Sequence, residues 1–258
     1  MVFARKRFGQ HFLHDPGTRQ RIVDAVSIQP GDALVEIGPG RGALTRLLRE
    51  RAGSLDAIEI DRDLAAALEQ EYRTDPGFVL HRTDALRFDF AALAQRRGQR
   101  LRVVGNLPYN VSTPLLFHLL ATHAAIADLH VMLQREVIER IVAAPGSEHY
   151  GRLGVMLAPW VDAEHLFDVG PGAFQPPPRV WSAVARLRVR LEPAFAVDER
   201  YGRLVTAAFS ARRKTLRNAC RGLLDATAIE AGGVDPGARP ETLSPAQFAA
   251  LARRMASG

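Results

Sequence analysis

The sequence predicts an α/β chain in which a doubly wound, mostly parallel sheet is followed by a small all-α domain. Three observations carry that expectation. Short β-branched runs alternate with leucine-striped helical segments between Ala33 and Ala143, the pattern of strands joined by crossover helices. A glycine-rich turn, Gly38-Pro39-Gly40-Arg41-Gly42, follows the first of the buried runs. Beyond Glu192-Pro193 the strand patterns stop and helical ones continue. The expected domains are therefore residues 1–191 and 192–258.

Taken in order, residues 3–13 interleave Arg5, Lys6 and Arg7 with Phe8 and Phe12. That suits an RNA-contacting arm, although a solvated basic terminus has the same composition. Residues 18–26 form a short amphipathic helix with Ile22, Val23 and Val26 on one face. Ala33–Ile37 is a buried strand, and the helix after the glycine turn carries Leu44, Leu47 and Leu48. A second strand covers 55–60, and Asp61 begins a helix with Leu64, Leu68 and Tyr72 on one side. The third strand, Phe78–His81, leads into Thr83-Asp84; the fourth, 101–105, ends in Asn106-Leu107-Pro108-Tyr109. Ser112-Thr113-Pro114 opens a helix with Pro near its first turn. A fifth strand at 129–133 runs into a helix at 135–143, and strands at 163–169 and 184–189 complete the sheet.

Composition narrows the function. With 47% apolar and 24% charged residues the chain is globular rather than disordered. A formal charge of +6 favours an anionic partner without choosing between nucleic acid and membrane. The single cysteine, Cys220, excludes an internal disulfide and fits a reducing cytoplasm. No apolar run approaches membrane-span length, so no membrane association is expected. The histidines show no paired ligand spacing, and no metal is expected.

Six stretches carry chemistry. Glycines at 38 and 40 let backbone approach a ligand closely at a strand-to-helix turn, a feature shared by dinucleotide and other adenosine sites. Glu59 lies about 20 residues further on, where a carboxylate takes ribose hydroxyls. Asp84 suits an adenine amino group or a helix cap equally. Asn106, the backbone carbonyls near Leu107 and Pro108, and the ring of Tyr109 suit a planar amino group, with acceptors for its hydrogens and a face for stacking. Phe174, in the proline-stiffened loop Gly172-Ala173-Phe174-Gln175-Pro176-Pro177-Pro178, is a second wall for that base or a core plug. Residues 209–224 form one basic helix, with Arg213, Lys214, Arg217 and Arg221 within one sector and Val205, Phe209, Leu216, Cys220 and Leu223 facing inward. Unpaired cations on one stripe point to phosphate contact.

Five motifs in this order resemble the ribosomal RNA adenine dimethyltransferases across nearly the whole chain. They are Gly9-Gln10-His11-Phe12-Leu13, Glu36-Ile37-Gly38-Pro39-Gly40-Arg41-Gly42, Gly105-Asn106-Leu107-Pro108-Tyr109-Asn110, Gly172-Ala173-Phe174-Gln175-Pro176 and Arg212-Arg213-Lys214-Thr215-Leu216-Arg217-Asn218. The resemblance implies a seven-stranded Rossmann-like methyltransferase sheet, S-adenosylmethionine as cofactor, and dimethylation of two adjacent adenosines near the 3′ end of 16S rRNA. It further implies a monomer acting on the immature 30S subunit. By position, His11, Leu13, Gly38, Glu59, Asp84 and Asn106 match the family's cofactor residues, with Gly40 in the same turn. Many members carry Asn where this chain has His11. Two alternatives stand beside this reading. A nicotinamide-dependent dehydrogenase explains the glycine turn and Glu59 but not 106–109, and a non-catalytic assembly factor explains the basic surfaces without turnover.

Overall fold

The structure, a computed structural model, describes residues 11–210 and 214–255. A two-residue strand β1 (Phe12–Leu13) leads to helix α1 (Pro16–Val26), N-capped by Asp15, whose side chain accepts from Thr18 N at 2.7 Å. Strand β2 (Ala33–Ile37) is followed by α2 (Thr45–Arg51), β3 (Leu55–Ile58) by α3 (Arg62–Glu71), and β4 (Phe78–His81) by α4 (Phe90–Arg97). Next come β5 (Leu101–Asn106), α5 (Ser112–Ala121), β6 (Ile126–Gln134), α6 (Arg135–Val142) and α7 (Arg152–Leu157). Strands β7 (Val161–Val169), β8 (Phe174–Gln175) and β9 (Ser182–Val189) precede α8 (Glu199–Phe209), α9 (Leu216–Ala219), α10 (Ala226–Ala231) and α11 (Pro245–Ala252).

Seven of the strands form one sheet in the order β4-β3-β2-β5-β6-β9-β7. The pairs from β4 to β6 are parallel, and β9 enters antiparallel to β6. Every residue of β2 is buried, as a parallel strand covered on both faces requires. Chain order runs outward from β2 to β4 on one side and from β5 to β6 on the other, so the order reverses between β2 and β5. The helix expected after Asp84, for which the sequence reading gave no bounds, is α4, capped by Asp89 accepting from Ala92 N at 2.9 Å. The small sheet in which β1 pairs antiparallel with β8, setting Leu13 opposite Phe174, has no counterpart in the sequence reading.

The chain divides into two compact units. One runs to Ile138 and adds Ala163–Val189; the other takes Glu139–Asp162 and the chain from Arg190 onward. The second boundary lies close to the one drawn at Glu192, but residues 139–162 join the helical unit. Their apolar side chains explain why, because Tyr150 and Val155 are buried in one cluster with Tyr201, Leu204, Leu216 and Phe248. Tyr150 also donates to Leu243 O and Tyr201 to Val155 O, both at 2.7 Å.

The single basic helix expected over 209–224 is not formed. Helix α8 ends at Phe209, Thr215 is extended, and α9 begins at Leu216. Leu216 N donates to Ala238 O (2.8 Å) and Arg217 N to Pro236 O (3.1 Å), so tertiary partners take donors that a continuous helix would use. The inward face nevertheless stands: Val205, Leu216 and Cys220 are fully buried, and Phe209 and Leu223 pack on them. Burial pushes the Cys220 thiol up to about 11, which makes it a small core group and a poor nucleophile. Among the described residues no helix is long and apolar enough to cross a membrane.

Candidate active site

Strands β4, β3, β2 and β5 lie side by side, so the residues at their carboxyl ends form a line across the sheet. Asp84 follows β4, Glu59 follows β3, Gly38 follows β2, and Asn106 ends β5. With His11, Leu13, Gly40, Leu107, Pro108 and Tyr109 they border a cavity of about 310 Å3. It sits at the reversal of strand order, where doubly wound sheets bind their ligands.

Backbone makes the floor. Gly38 and Gly40 have φ of 68° and 57°, left-handed values that glycine alone adopts freely. Gly105 answers a different need: a Cβ there would stand 2.6 Å from Ile37 O. The glycine turn and the end of β5 are thus held together with no side chain between them.

Two carboxylates enter this floor. Glu59 Oε2 accepts from Gly40 N (3.1 Å) and Oε1 from Asp61 N (2.9 Å). Burial raises the Glu59 pKa, and those two backbone donors oppose the rise. Each oxygen keeps a further lone pair for a ligand hydroxyl. Glu36 is deeper, at 1% exposure. Burial pushes its carboxyl up to about 8, with Thr45 opposing and Glu59 adding to the rise. Its Oε2 lacks a hydrogen-bond partner among the described residues, although the residue borders the cavity. The sequence reading assigned Glu36 no role. The available signal was an acid inside an otherwise apolar strand, Ala33-Leu34-Val35-Glu36-Ile37.

Asp84 is a cap and lies at the cavity. Its side chain accepts from Leu86 N (2.9 Å) to cap the turn at Ala85–Arg87, and it borders the cavity.

At the far end, the Asn106 amide donates from Nδ2 to His11 O at 3.1 Å. The bond uses one of the two amide N–H groups and fixes the amide with Oδ1 left as the acceptor for a ligand. His11 Nδ1 lies 2.8 Å from Pro176 O; a carbonyl only accepts, so Nδ1 carries the proton. The His11 ring stacks on Tyr109 with centroids 5.8 Å apart. Tyr109 is also fixed at its tip, where its hydroxyl and Ser182 Oγ are 2.6 Å apart. Burial raises the Tyr109 pKa, and the bond to Ser182 opposes this, so the ring is a neutral phenol at physiological pH. Pro108 O accepts from Val111 N (3.1 Å), whereas Leu107, 1% exposed, donates its own N–H to Met132 O (3.1 Å).

Phe174 requires a correction. It is 1% exposed, lies in the core cluster with Leu13, Val23 and Val184, and does not border the cavity. It is the plug beneath the proline-stiffened loop, held there by the β1–β8 pairing, and not a wall for a base. Residues to which the sequence reading assigned no place in the site take up the cavity's edge instead. Arg41 places its guanidinium 4.3 Å from the Phe12 ring centroid, and both border the cavity. Ser182 could not be found from sequence, since its partner Tyr109 lies on another strand end.

Of the cations assigned to RNA, Arg5, Lys6, Arg7 and Arg213 lie outside the described residues. Lys214, Arg217 and Arg221 are exposed, and Arg221 donates to Asn218 Oδ1 at 3.2 Å. With the helix broken, the shared angular sector no longer describes them; they belong to a short turn and the chain beside it. Among the described residues no cluster of acids, histidines or cysteines could hold a metal ion.

The cavity suits a nucleoside cofactor, because the orphaned Glu36 oxygen, the side-chain-free glycine floor and the ribose-suited Glu59 all lie along it. Fold and site together define the class of S-adenosylmethionine-dependent methyltransferases that act on a planar amino group. The model of the family described as "Ribosomal RNA adenine dimethylase" matches residues 1–257, and the chain belongs to that family. It is 54% identical over 252 residues to ribosomal RNA small subunit methyltransferase A of Methylococcus capsulatus, covering 97% of each chain. The protein of that name from Pseudomonas aeruginosa is 52% identical over 255 residues, covering 98% of this chain and 95% of that one. Among solved structures, the 23S rRNA methyltransferase ErmE superposes with a TM-score of 0.74 at 28% identity, covering 95% of this chain and 99% of that one. A dimethyladenosine transferase from Plasmodium falciparum shares the fold, with a TM-score of 0.78 at 23% identity, covering 93% of this chain and 96% of that one. The chain is thus an S-adenosylmethionine-dependent rRNA adenine dimethyltransferase, and the dehydrogenase alternative falls.

Proposed function

We propose that the protein dimethylates the N6 amino groups of two adjacent adenosines near the 3′ end of 16S rRNA, acting in the cytoplasm as a monomer on the immature 30S subunit. The observation that carries the catalytic part is the Asn106 amide, whose nitrogen donates to His11 O and whose oxygen is left to a ligand. The relatives' names, each a small subunit methyltransferase, support the choice of substrate.

S-adenosylmethionine supplies a methyl group on a sulfonium. Gly38 and Gly40 admit it by backbone, Glu59 takes its ribose hydroxyls, Asp84 its adenine amino group, and His11 and Leu13 close the site over it. The chemical difficulty is on the acceptor side, because adenine's amino lone pair is conjugated into the ring. Asn106 Oδ1 accepts one amino hydrogen. The Leu107 or the Pro108 carbonyl accepts the other; Pro108 O already takes Val111 N and keeps a second lone pair. Two acceptors in those directions turn the lone pair out of the ring plane and toward the methyl. Tyr109, fixed by Ser182 at its tip and by His11 on one face, offers its remaining face to the flipped-out base. The methylated nitrogen is strongly acidic and sheds its proton without a buried base. Arg5, Lys6, Arg7, Arg213, Lys214, Arg217 and Arg221 supply phosphate contacts.

The test is transfer of label from S-adenosylmethionine to unmethylated small subunits, with the modified positions mapped. Asn106→Ala should lower transfer at saturating cofactor by at least ~10²-fold, the scale of losing one oriented transition-state hydrogen bond, while association with the subunit persists. A wild-type rate in that variant would remove the amino-group cradle. Failure of the wild-type protein to methylate any unmodified subunit would leave an assembly factor.

A further inference from the structure

Trp181 is 50% exposed, a large aromatic surface for a side chain outside the cavity. It is not loose. Its backbone carbonyl accepts from Arg135 N at 2.9 Å, and the edge of its six-membered ring lies against Gly170, where a Cβ would come within 3.6 Å. The guanidinium of Arg135 stands 5.9 Å from the indole centroid, and Arg179 and Val180 beside it are exposed. The next residue is Ser182, the one that holds the Tyr109 hydroxyl. A pre-set indole with cations around it therefore sits one residue from the partner of the proposed base wall.

We propose that Trp181, with Arg135 and Arg179, is a stacking platform for an unpaired base of the rRNA strand flanking the target adenosine. Exposed aromatic surface among cations matches single-stranded nucleic acid, in which bases stack and phosphates seek positive charge. Asp168, the acid 3.8 Å from Arg135, is engaged by Arg135 and by His165. The platform rests on the substrate class proposed above and adds to it a second grip on the strand, separate from the cofactor cavity.

A short single-stranded RNA carrying two adjacent adenosines, and the unmethylated small subunit, are the probes. Trp181→Ala should weaken binding of the RNA by roughly 10-fold, the scale of one lost base stack, and raise KM for the subunit, with cofactor affinity unmoved. Trp181→Phe should keep affinity within a few-fold yet abolish the RNA-induced quenching of indole fluorescence seen in the wild-type protein. Equal RNA affinity in Trp181→Ala and wild type, or no indole quenching on binding, overturns the platform. A variant that binds free RNA normally but loses the subunit marks a protein contact and also overturns it. The RNA affinity and the indole fluorescence are binding readouts, so they decide the platform even if no methyl is transferred, which would sink the catalytic reading alone.

Discussion

Glu36, near the carboxyl end of β2, and Asp128, near the amino end of β6, are acids within the same sheet with different neighbours. Asp128 lies 3.0 Å from Arg102 Nε and 3.4 Å from His130 Nδ1. Burial alone would raise its carboxyl, but His130 and Arg102 overcome that and hold it below the ordinary carboxylate range. Arg102 is saturated, since it also bonds Asp32 Oδ2 and donates to Val26 O, both at 2.6 Å. Glu36 has only Thr45 to weigh against burial, while the like-charged Glu59 adds to the rise, and its carboxyl is pushed up to about 8. One end of the sheet is therefore closed by compensated charge, and the other keeps uncompensated acid where a ligand is to arrive. The difference teaches that a buried carboxylate is informative about function through its partners rather than its burial.

The largest effect should come from the compensated end. Arg102→Met leaves Asp128 and Asp32 without their cation and should cost about 3 kcal/mol of stability, the scale of breaking a buried pair. Urea unfolding would read it, and cofactor affinity of the folded protein should stay put. A variant as stable as the wild type would mean the network holds nothing. At the ligand end the expectation is reversed. Glu59→Ala should weaken S-adenosylmethionine binding by ~1.5–3 kcal/mol, as for hydrogen bonds to a charged group, measured by calorimetry on protein shown to be folded. Unchanged affinity would take Glu59 out of the site.

The smallest effect sharpens the comparison most. Glu36 has a folded pKa above its unfolded one, so its neutral form adds no penalty at acid pH. Stability is lost as pH rises from the ordinary carboxylate value toward about 8. Asp128, with a lowered pKa, has the opposite sign: its contribution is present above the ordinary carboxylate pKa and is lost as pH falls through the folded value. Glu36→Gln removes only the first dependence. Relative to the wild type, the ligand-free variant should gain stability as pH rises across that interval, followed by thermal unfolding over pH. Parallel curves for the two proteins would show that Glu36 is not a buried neutral acid.

Much of the site was legible because it is local. The strand ends, the glycine turn, Glu59 and the run from Asn106 to Tyr109 each announce themselves within a few residues. Parallel crossover topology then brings successive strand ends to one edge whatever the remaining details. Sequence by itself thus determined the order of the main parallel strands, the sheet edge that carries the cavity, and the family. The tertiary structure decided what depends on distant partners. It separated Tyr109, tipped by Ser182 at the cavity, from Phe174, buried within β8, although both were aromatic rings in proline-bearing stretches. It broke the basic helix by giving Leu216 and Arg217 carbonyl partners at Ala238 and Pro236, and it moved residues 139–162 into the helical unit. The physical reason is the same in each case. Periodicity along a chain records which side of an element is apolar, whereas hydrogen-bond partners and charge compensation belong to whichever distant groups the fold brings within reach.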